Sequence, residues 1–171
     1  KDPDVTVEPL LADAAEPSAY PPADAVVAVF NLLFNLTTEE AQLGCLSGCA
    51  EAIGDTGLLV IEAAAPDPIR RRETDLVCRS VTPDKVVLIA TDTNPDEGTI
   101  CGSHIEITEA GMTLRPWVAR TLSVEALDLL AAKAGLELTD RFANFAGDTF
   151  TEASATHVSI YRRADSPGGK G

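Results

Sequence analysis

Two short, uninterrupted apolar runs constrain this chain most: Asp24-Ala-Val-Val-Ala-Val-Phe30 and Leu58-Leu-Val-Ile-Glu62. A strand wetted on one face alternates apolar and polar side chains. A strand covered on both faces is apolar throughout, as in a parallel sheet flanked by helices. Between the runs lies a segment of helical character. Thr37 or Thr38 caps its start, Glu40 and Gln42 stand at reach-back positions, and Leu43, Leu46, Ala50 and Ile53 fall on one stripe. Gly54 ends it and Asp55-Thr56-Gly57 makes the turn. Asp24 to Glu62 therefore predicts a β-α-β unit with parallel strands and a right-handed crossover.

Upstream, Val5 to Ala12 reads as a short strand bent at Pro9, and Pro17, Pro21 and Pro22 enforce a loop. Downstream the character changes. Asp75 to Ser80, Lys85 to Asp92, Thr99 to Thr108 and Met112 to Val118 read as strands separated by short turns, which fits an antiparallel meander. His104 to Thr108 alternates, implying one wet face. Ser123 caps a helix from Val124 to Ala134, ended by Gly135, and Leu136 to Phe145 and Ala155 to Arg162 form a last pair of strands. The expected class is α/β: a partial Rossmann-like sheet with an antiparallel β insert before the last helix. Residues 1–164 form one such domain, and 165–171 a mobile tail.

Charge narrows the partners. Thirteen basic against 27 acidic residues give a net charge of -14, which opposes binding to nucleic-acid phosphates or anionic lipid. The basic run Arg70-Arg71-Arg72 reads as a solvated loop. No apolar stretch reaches the length of a membrane span, and Lys1-Asp2-Pro3-Asp4 has no signal character, so the expected location is the cytoplasm. Of four cysteines, Cys45 and Cys49 share a helix face and Cys78 and Cys101 lie far away. With no CxxC pair and two histidines, no metal site is expected, and the thiols read as free and mostly buried.

Three segments resemble one family. Asp24 to Thr37 is similar to the fourth strand and following turn of class I S-adenosylmethionine-dependent methyltransferases. The helix through Cys49 and then Gly57 to Glu62 resembles the next helix and fifth strand, with Gly54-Asp55-Thr56-Gly57 where the family has Pro-Gly-Gly. Leu122 to Glu137 resembles the late helix and its link into the sixth strand, including the Ala134-Gly135-Leu136 ending. Within the family the similarity is closest to small-molecule and sugar methyltransferases of high-GC bacteria. The resemblance implies S-adenosylmethionine as cofactor and a small-molecule acceptor. It also implies a glycine-rich loop after strand one and an acidic end to strand two, which have no counterpart here. With Val5 to Ala12 as strand three, the expectation is an N-terminal piece outside this sequence. The alternatives are strands supplied by another chain, or a rearranged fold. The 171 residues alone are then expected to bind the cofactor weakly or not at all. The open edge of the fourth strand suggests a homodimer or partner chain covering it. The alternative function is a non-catalytic binding or dimerisation subunit.

By the same resemblance, Asp13 accepts a hydrogen bond from the adenine amino group, with Ala14 offering its amide; otherwise Asp13 caps its loop. Phe30 and Asn31 stand at the carboxyl end of a strand, where open α/β sheets bind ligands: Phe30 against the cofactor or in the core, Asn31 orienting the acceptor. His104 and His157, on alternating strands, are the candidate bases, or else structural. Arg115, Trp117 and Arg120 are candidate acceptor contacts, the arginines holding an acidic group or pairing with the protein's own carboxylates. Tyr20 either covers the site or is an exposed loop aromatic.

Overall fold

The computed structural model describes residues 6–65 and 72–164. The two apolar runs become β1 (Ala25–Ala28) and β2 (Leu58–Ala64), adjacent and parallel, with Ala25 opposite Leu58 and Ala28 opposite Ile61. They are joined by α1 (Glu39–Ile53), capped by the Thr38 hydroxyl, which accepts the Ala41 amide at 3.1 Å. The helix exits at Gly54, whose φ of 55° suits glycine. Four strands follow as a meander: β3 (Glu73–Thr82), β4 (Lys85–Asn94), β5 (Thr99–Thr108) and β6 (Gly111–Arg120), antiparallel throughout. Then come α2 (Val124–Lys133), capped by the Ser123 hydroxyl, and β7 (Leu136–Phe142) and β8 (Thr156–Arg163).

The first sheet has the order β1-β2-β8-β7, so the last strand is inserted between β2 and β7, antiparallel to both. Leu46 and Ile53 of α1, Leu127 of α2, and Leu59, Ile61 and Tyr161 of the sheet are buried together in one core cluster. Both helices thus cover the same face. β2 alternates between buried and half-buried residues, so among the described residues only one of its faces is fully covered. Among the described residues β1 is an edge strand, with Val27 exposed.

The meander forms the second sheet, and none of the residues in its four strands is buried. It is tied to the body through Gln42 of α1, a fully buried polar residue. Gln42 Nε2 donates to the carbonyls of Leu33 (3.2 Å) and Arg120 (3.0 Å), while the Arg120 guanidinium donates to Gln42 Oε1.

Some expectations need correction. Residues 6–12 pair with no strand; Val7 is 81% exposed. A strand persists only where a neighbour takes its backbone hydrogen bonds, and Pro9 removes a donor besides. Three of the four meander strands run two to four residues longer than the sequence indicated, by one or two residues at an end. The thiols divide evenly: Cys45 and Cys49 are buried, Cys78 and Cys101 exposed. Residues 165–171, Arg70 and Arg71 lie outside the described residues. No described helix is long and apolar enough to cross a membrane.

Candidate functional site: a loop-covered pocket and an inter-sheet cleft

The loop of residues 13–20 lies directly on α1, and two glycines let it. A Cβ on Gly44 would stand 2.2 Å from the Ala15 carbonyl oxygen, and one on Gly48 would stand 2.5 Å from the Tyr20 ring and 2.8 Å from Pro17 Cα. One helical turn apart, they form a shallow groove into which the loop sinks. The Asp13 carboxylate accepts the Ala15 amide at 2.9 Å, an Asx turn that sets the loop's bend. Tyr20 Oη donates to the Ala14 carbonyl at 2.8 Å and lies 3.1 Å from Cys45 Sγ. Its one proton is committed to the carbonyl, so the thiol donates to the phenol oxygen. The Cys49 thiol, hydrogen-bonded to Cys45, holds Cys45 down at about 7. Burial pushes Tyr20 up.

Behind this loop is a pocket of about 340 Å³, with Asp13 and Ala14 at its rim, Tyr20, Cys45 and Cys49 on one wall and Val26, Ala28 and Leu32 on another. Its lining is predominantly apolar, with one carboxylate and no basic side chain. That donor set suits an uncharged heterocycle with an exocyclic amine, and is unsuited to a phosphate.

Just past the carboxyl end of β1 the chain makes an unusual turn. Phe30 and Asn31 both have φ of 57°, in the left-handed region that a bulky residue enters only at a cost. Two short bonds to β2 pin them there. The Phe30 amide donates to Glu62 Oε2 at 2.6 Å, and Asn31 Oδ1 accepts the Ala64 amide at 2.6 Å. The consequence is that Phe30 projects into solvent, 86% exposed, at the mouth of a second cavity of about 400 Å³. This cleft lies between the two sheets. Phe30, Asn31, Phe34, Asn35 and Ala64 form the floor, at the carboxyl ends of β1 and β2. Ile100, His104, Trp117, Ala119 and Thr121 form the roof, from the meander and its exit.

The structure therefore groups the sequence candidates into two sets. Asp13, Ala14 and Tyr20 share the pocket; Phe30, Asn31, His104 and Trp117 share the cleft. Tyr20 is a fixed wall rather than an exposed aromatic. Asn31 spends its side-chain oxygen on the backbone of β2. Trp117 lies on Gly102, where a Cβ would come within 2.4 Å of the indole. Arg115 stands opposite His104 on β6, exposed and outside both cavities' linings. Arg120 is committed to Gln42 and lies 3.6 Å from Glu39, the pairing with the protein's own groups.

His157 stands apart from both cavities. It is fully buried on β8, its Nδ1 2.9 Å from Ser159 Oγ and Phe150 edge-on to its ring. Burial, reinforced by the nearby Arg141 charge, lowers it to about 4, so it is neutral at neutral pH. Its neighbours form one polar cluster. Arg141 makes a bidentate pair with Asp128 (2.6 and 3.2 Å) and donates to Ser159, and Tyr161 Oη donates to Asp128 at 2.6 Å. Such a cluster fixes β7, β8 and α2 together, a structural task.

Gly44, Gly48 and Glu62 had no assigned role in the sequence reading, and Gln42, placed there as a reach-back to the helix cap, bonds instead to Leu33 and Arg120. Gly44 and Gly48 carried a signal, two glycines four apart inside a helix whose caps are otherwise well formed. Among the described residues no group of three or more His, Cys, Asp or Glu side chains could hold a metal ion.

No protein-family model and no curated protein matches the chain. Solved structures do. The CcbJ methyltransferase from Streptomyces caelestis is 31% identical over 84% of this chain and 58% of its own, with a TM-score of 0.77. An S-adenosylmethionine-dependent methyltransferase from Clostridium acetobutylicum superposes with a TM-score of 0.74 at 5% identity, over 89% and 63% of the two chains. The sugar N-methyltransferase KedS8 from a Streptoalloteichus species gives 0.61 at 16% identity, over 89% and 61%. The chain thus spans less than two thirds of the length of each of these three. In its fold the chain matches the class I, Rossmann-type S-adenosylmethionine-dependent methyltransferases, one of which is 31% identical to it.

Proposed function

We propose that the protein transfers a methyl group from S-adenosylmethionine to a small-molecule acceptor seated in the inter-sheet cleft. The observation that carries this reading is the cleft itself. It opens at the carboxyl ends of the parallel strands β1 and β2, the place where open α/β sheets bind ligands, in a chain 31% identical to a methyltransferase. The apolar pocket beside it fits the adenosine end of the cofactor. Asp13 accepts the adenine amine on its outer oxygen, and Ala14 offers its amide, its carbonyl being taken by Tyr20. When bound, the cofactor supplies an electrophilic methyl on a sulfonium centre.

The remaining work falls to the protein's own residues. Phe30, held out by its left-handed backbone, covers the boundary between pocket and cleft and excludes water there. Trp117 and Phe34 give the cleft apolar walls, and Asn35 offers an amide to acceptor hydroxyls. His104 is the one titratable side chain lining the cleft among the described residues, and it takes the proton from an amine acceptor. Amines on sugar-like rings are the acceptor class tried first, because KedS8 is a sugar N-methyltransferase and CalS10, another structural neighbour, an amino pentose methyltransferase.

The test is an assay of the full-length protein for S-adenosylhomocysteine release over a panel of amino sugars. Turnover is expected, with His104→Gln lowering kcat by about 10²–10⁴-fold at neutral pH. Cofactor binding without turnover on any acceptor would favour the non-catalytic binding subunit.

A further inference from the structure

Trp117 carries a buried polar atom that no described residue satisfies. It belongs to the roof of the cleft, on β6, directly opposite Gly102 of β5. Residues directly opposite in an antiparallel ladder point to the same side, and so do residues two apart on one strand. Trp117, Gly102 and His104 therefore share the face that looks into the cleft. Gly102 decides how the indole sits. A Cβ there would stand 2.4 Å from Trp117 Cζ2 and 2.6 Å from Cε2, so the missing side chain lets the ring lie down on the strand as a wall of the cleft.

Among the described residues two buried side-chain atoms have no hydrogen-bond partner, Trp117 Nε1 and His157 Nε2. The two are not equivalent. Imidazole can hold its proton on Nδ1, which stands 2.9 Å from Ser159 Oγ, and leave Nε2 with a lone pair alone. Indole has no such tautomer. Its nitrogen is always a donor, and a buried donor without an acceptor costs about as much as a lost hydrogen bond. His157 is also shut into the core, away from both cavities. Trp117 has a cavity of about 400 Å³ beside it, room for a ring-sized molecule to bring the acceptor atom that the protein does not.

We infer that Trp117 is a specificity-determining residue of the cleft, whose indole N–H donates to a hydroxyl oxygen of the methyl acceptor. The inference rests on the methyl-transfer reading for what occupies the cleft, and deepens it by naming a second group that the acceptor carries. The reacting amine itself is not that group, because a protonated amine brings only donors to an indole that is itself a donor. The amine belongs beside His104. His104 and Trp117 are diagonal neighbours on the β5–β6 ladder, about 7 Å apart in such a pairing, a distance that one sugar-sized ring spans. Selectivity follows: an amine of the same shape without the hydroxyl leaves the N–H buried and unpaired, and is disfavoured for that reason.

The test uses the full-length protein with S-adenosylhomocysteine bound and its indoles isotope-labelled on nitrogen. The 171 residues hold one tryptophan, and the signal lost in Trp117→Phe identifies it. Titration with an amino sugar that the protein methylates should move that N–H proton signal downfield, as hydrogen bonding does. Among counterparts each lacking one hydroxyl, one should bind about tenfold more weakly and leave the signal in place. Trp117→Phe keeps an apolar ring and removes the N–H. It should raise KM for the parent sugar about tenfold, with the loss in KM rather than kcat, and should no longer tell that counterpart from the parent sugar. An indole signal that stays in place with sugars that are methylated assigns the N–H to solvent and overturns the inference, while methyl transfer stands. A folded Trp117→Phe protein that still discriminates between the two sugars overturns it as well. Sugars that move the signal but are never methylated uphold the donor and overturn the methyl-transfer reading instead. Neither movement nor methylation with any sugar overturns both.

Discussion

Asp13 and His157 illustrate how a residue's surroundings decide its part. Asp13 is exposed, uses one carboxylate oxygen on its own loop and is among the residues lining the pocket. Asp13→Ala should therefore weaken S-adenosylmethionine binding by about one to two decades, the worth of one charge-assisted hydrogen bond, and leave the ligand-free melting temperature near that of the parent. Calorimetric titration paired with a thermal melt checks this; unchanged affinity with a large fall in melting temperature would make Asp13 a loop cap alone. His157 shows the opposite case. Its folded-state value of about 4 lies below the usual 6.5, so on acidification the unfolded chain takes up this proton first. The stability it contributes is complete above pH 6.5 and is lost as the pH falls from 6.5 toward 4, by up to about 3 kcal/mol. Urea unfolding of the parent and of His157→Gln across that range should show a shallower acid loss in the variant. Equal slopes would mean that His157 is charged in the folded protein.

At the scale of elements, α1 does more than connect two strands. Its outward groove seats the pocket loop, so Gly44→Ala tests the groove directly. An alanine gains about 1 kcal/mol of helix propensity. Its Cβ, however, would stand 2.2 Å from a backbone oxygen that has no side-chain freedom with which to yield. The clash wins: we expect a net loss of about 1–3 kcal/mol by chemical denaturation, with cofactor affinity falling as the loop lifts. The helices, their caps and the β-α-β unit were legible in the sequence because local rules govern them. Thr38, Ser123, Gly54 and Gly135 all sit where capping chemistry puts them. The cleft floor was legible for a related reason, since Phe30 and Asn31 follow an apolar strand at its carboxyl end. What was not legible depends on distant pairing. Residues 6–12 have strand-like composition but no neighbour to pair with, and Glu62 pins a turn 32 residues away. His157 and His104 look alike on their alternating strands, and only the register shows one buried beside Phe150 and the other facing the cleft.

For the molecule as a whole, the cleft depends on how two sheets are held together, and Gln42, with Glu39 beside it, ties the meander to α1. Gln42→Leu keeps much of the bulk but takes the side-chain donor from the Arg120 carbonyl and the acceptor from its guanidinium, and leaves the Leu33 carbonyl with the Leu36 amide alone. Each orphaned group costs about 1–3 kcal/mol, so the variant should lose stability by urea denaturation and also raise KM for the acceptor, whose roof is no longer fixed. A normal KM in a destabilised variant would show that the meander is held elsewhere. The strand order of the first sheet carries a further consequence, for the order in which the protein assembles during synthesis. β8 begins at Thr156 yet pairs with β2, whose first residue is Leu58. A ribosome must therefore release almost a hundred residues after β2 before that strand meets its neighbour. Until then β2 and β7 each present a bare edge, and the buried places of Val158, Ser159 and Tyr161 stand empty. The nascent chain is most exposed to misassociation just before its last strand emerges, and a ribosome stalled short of Thr156 holds an unclosed sheet rather than a slightly shortened domain.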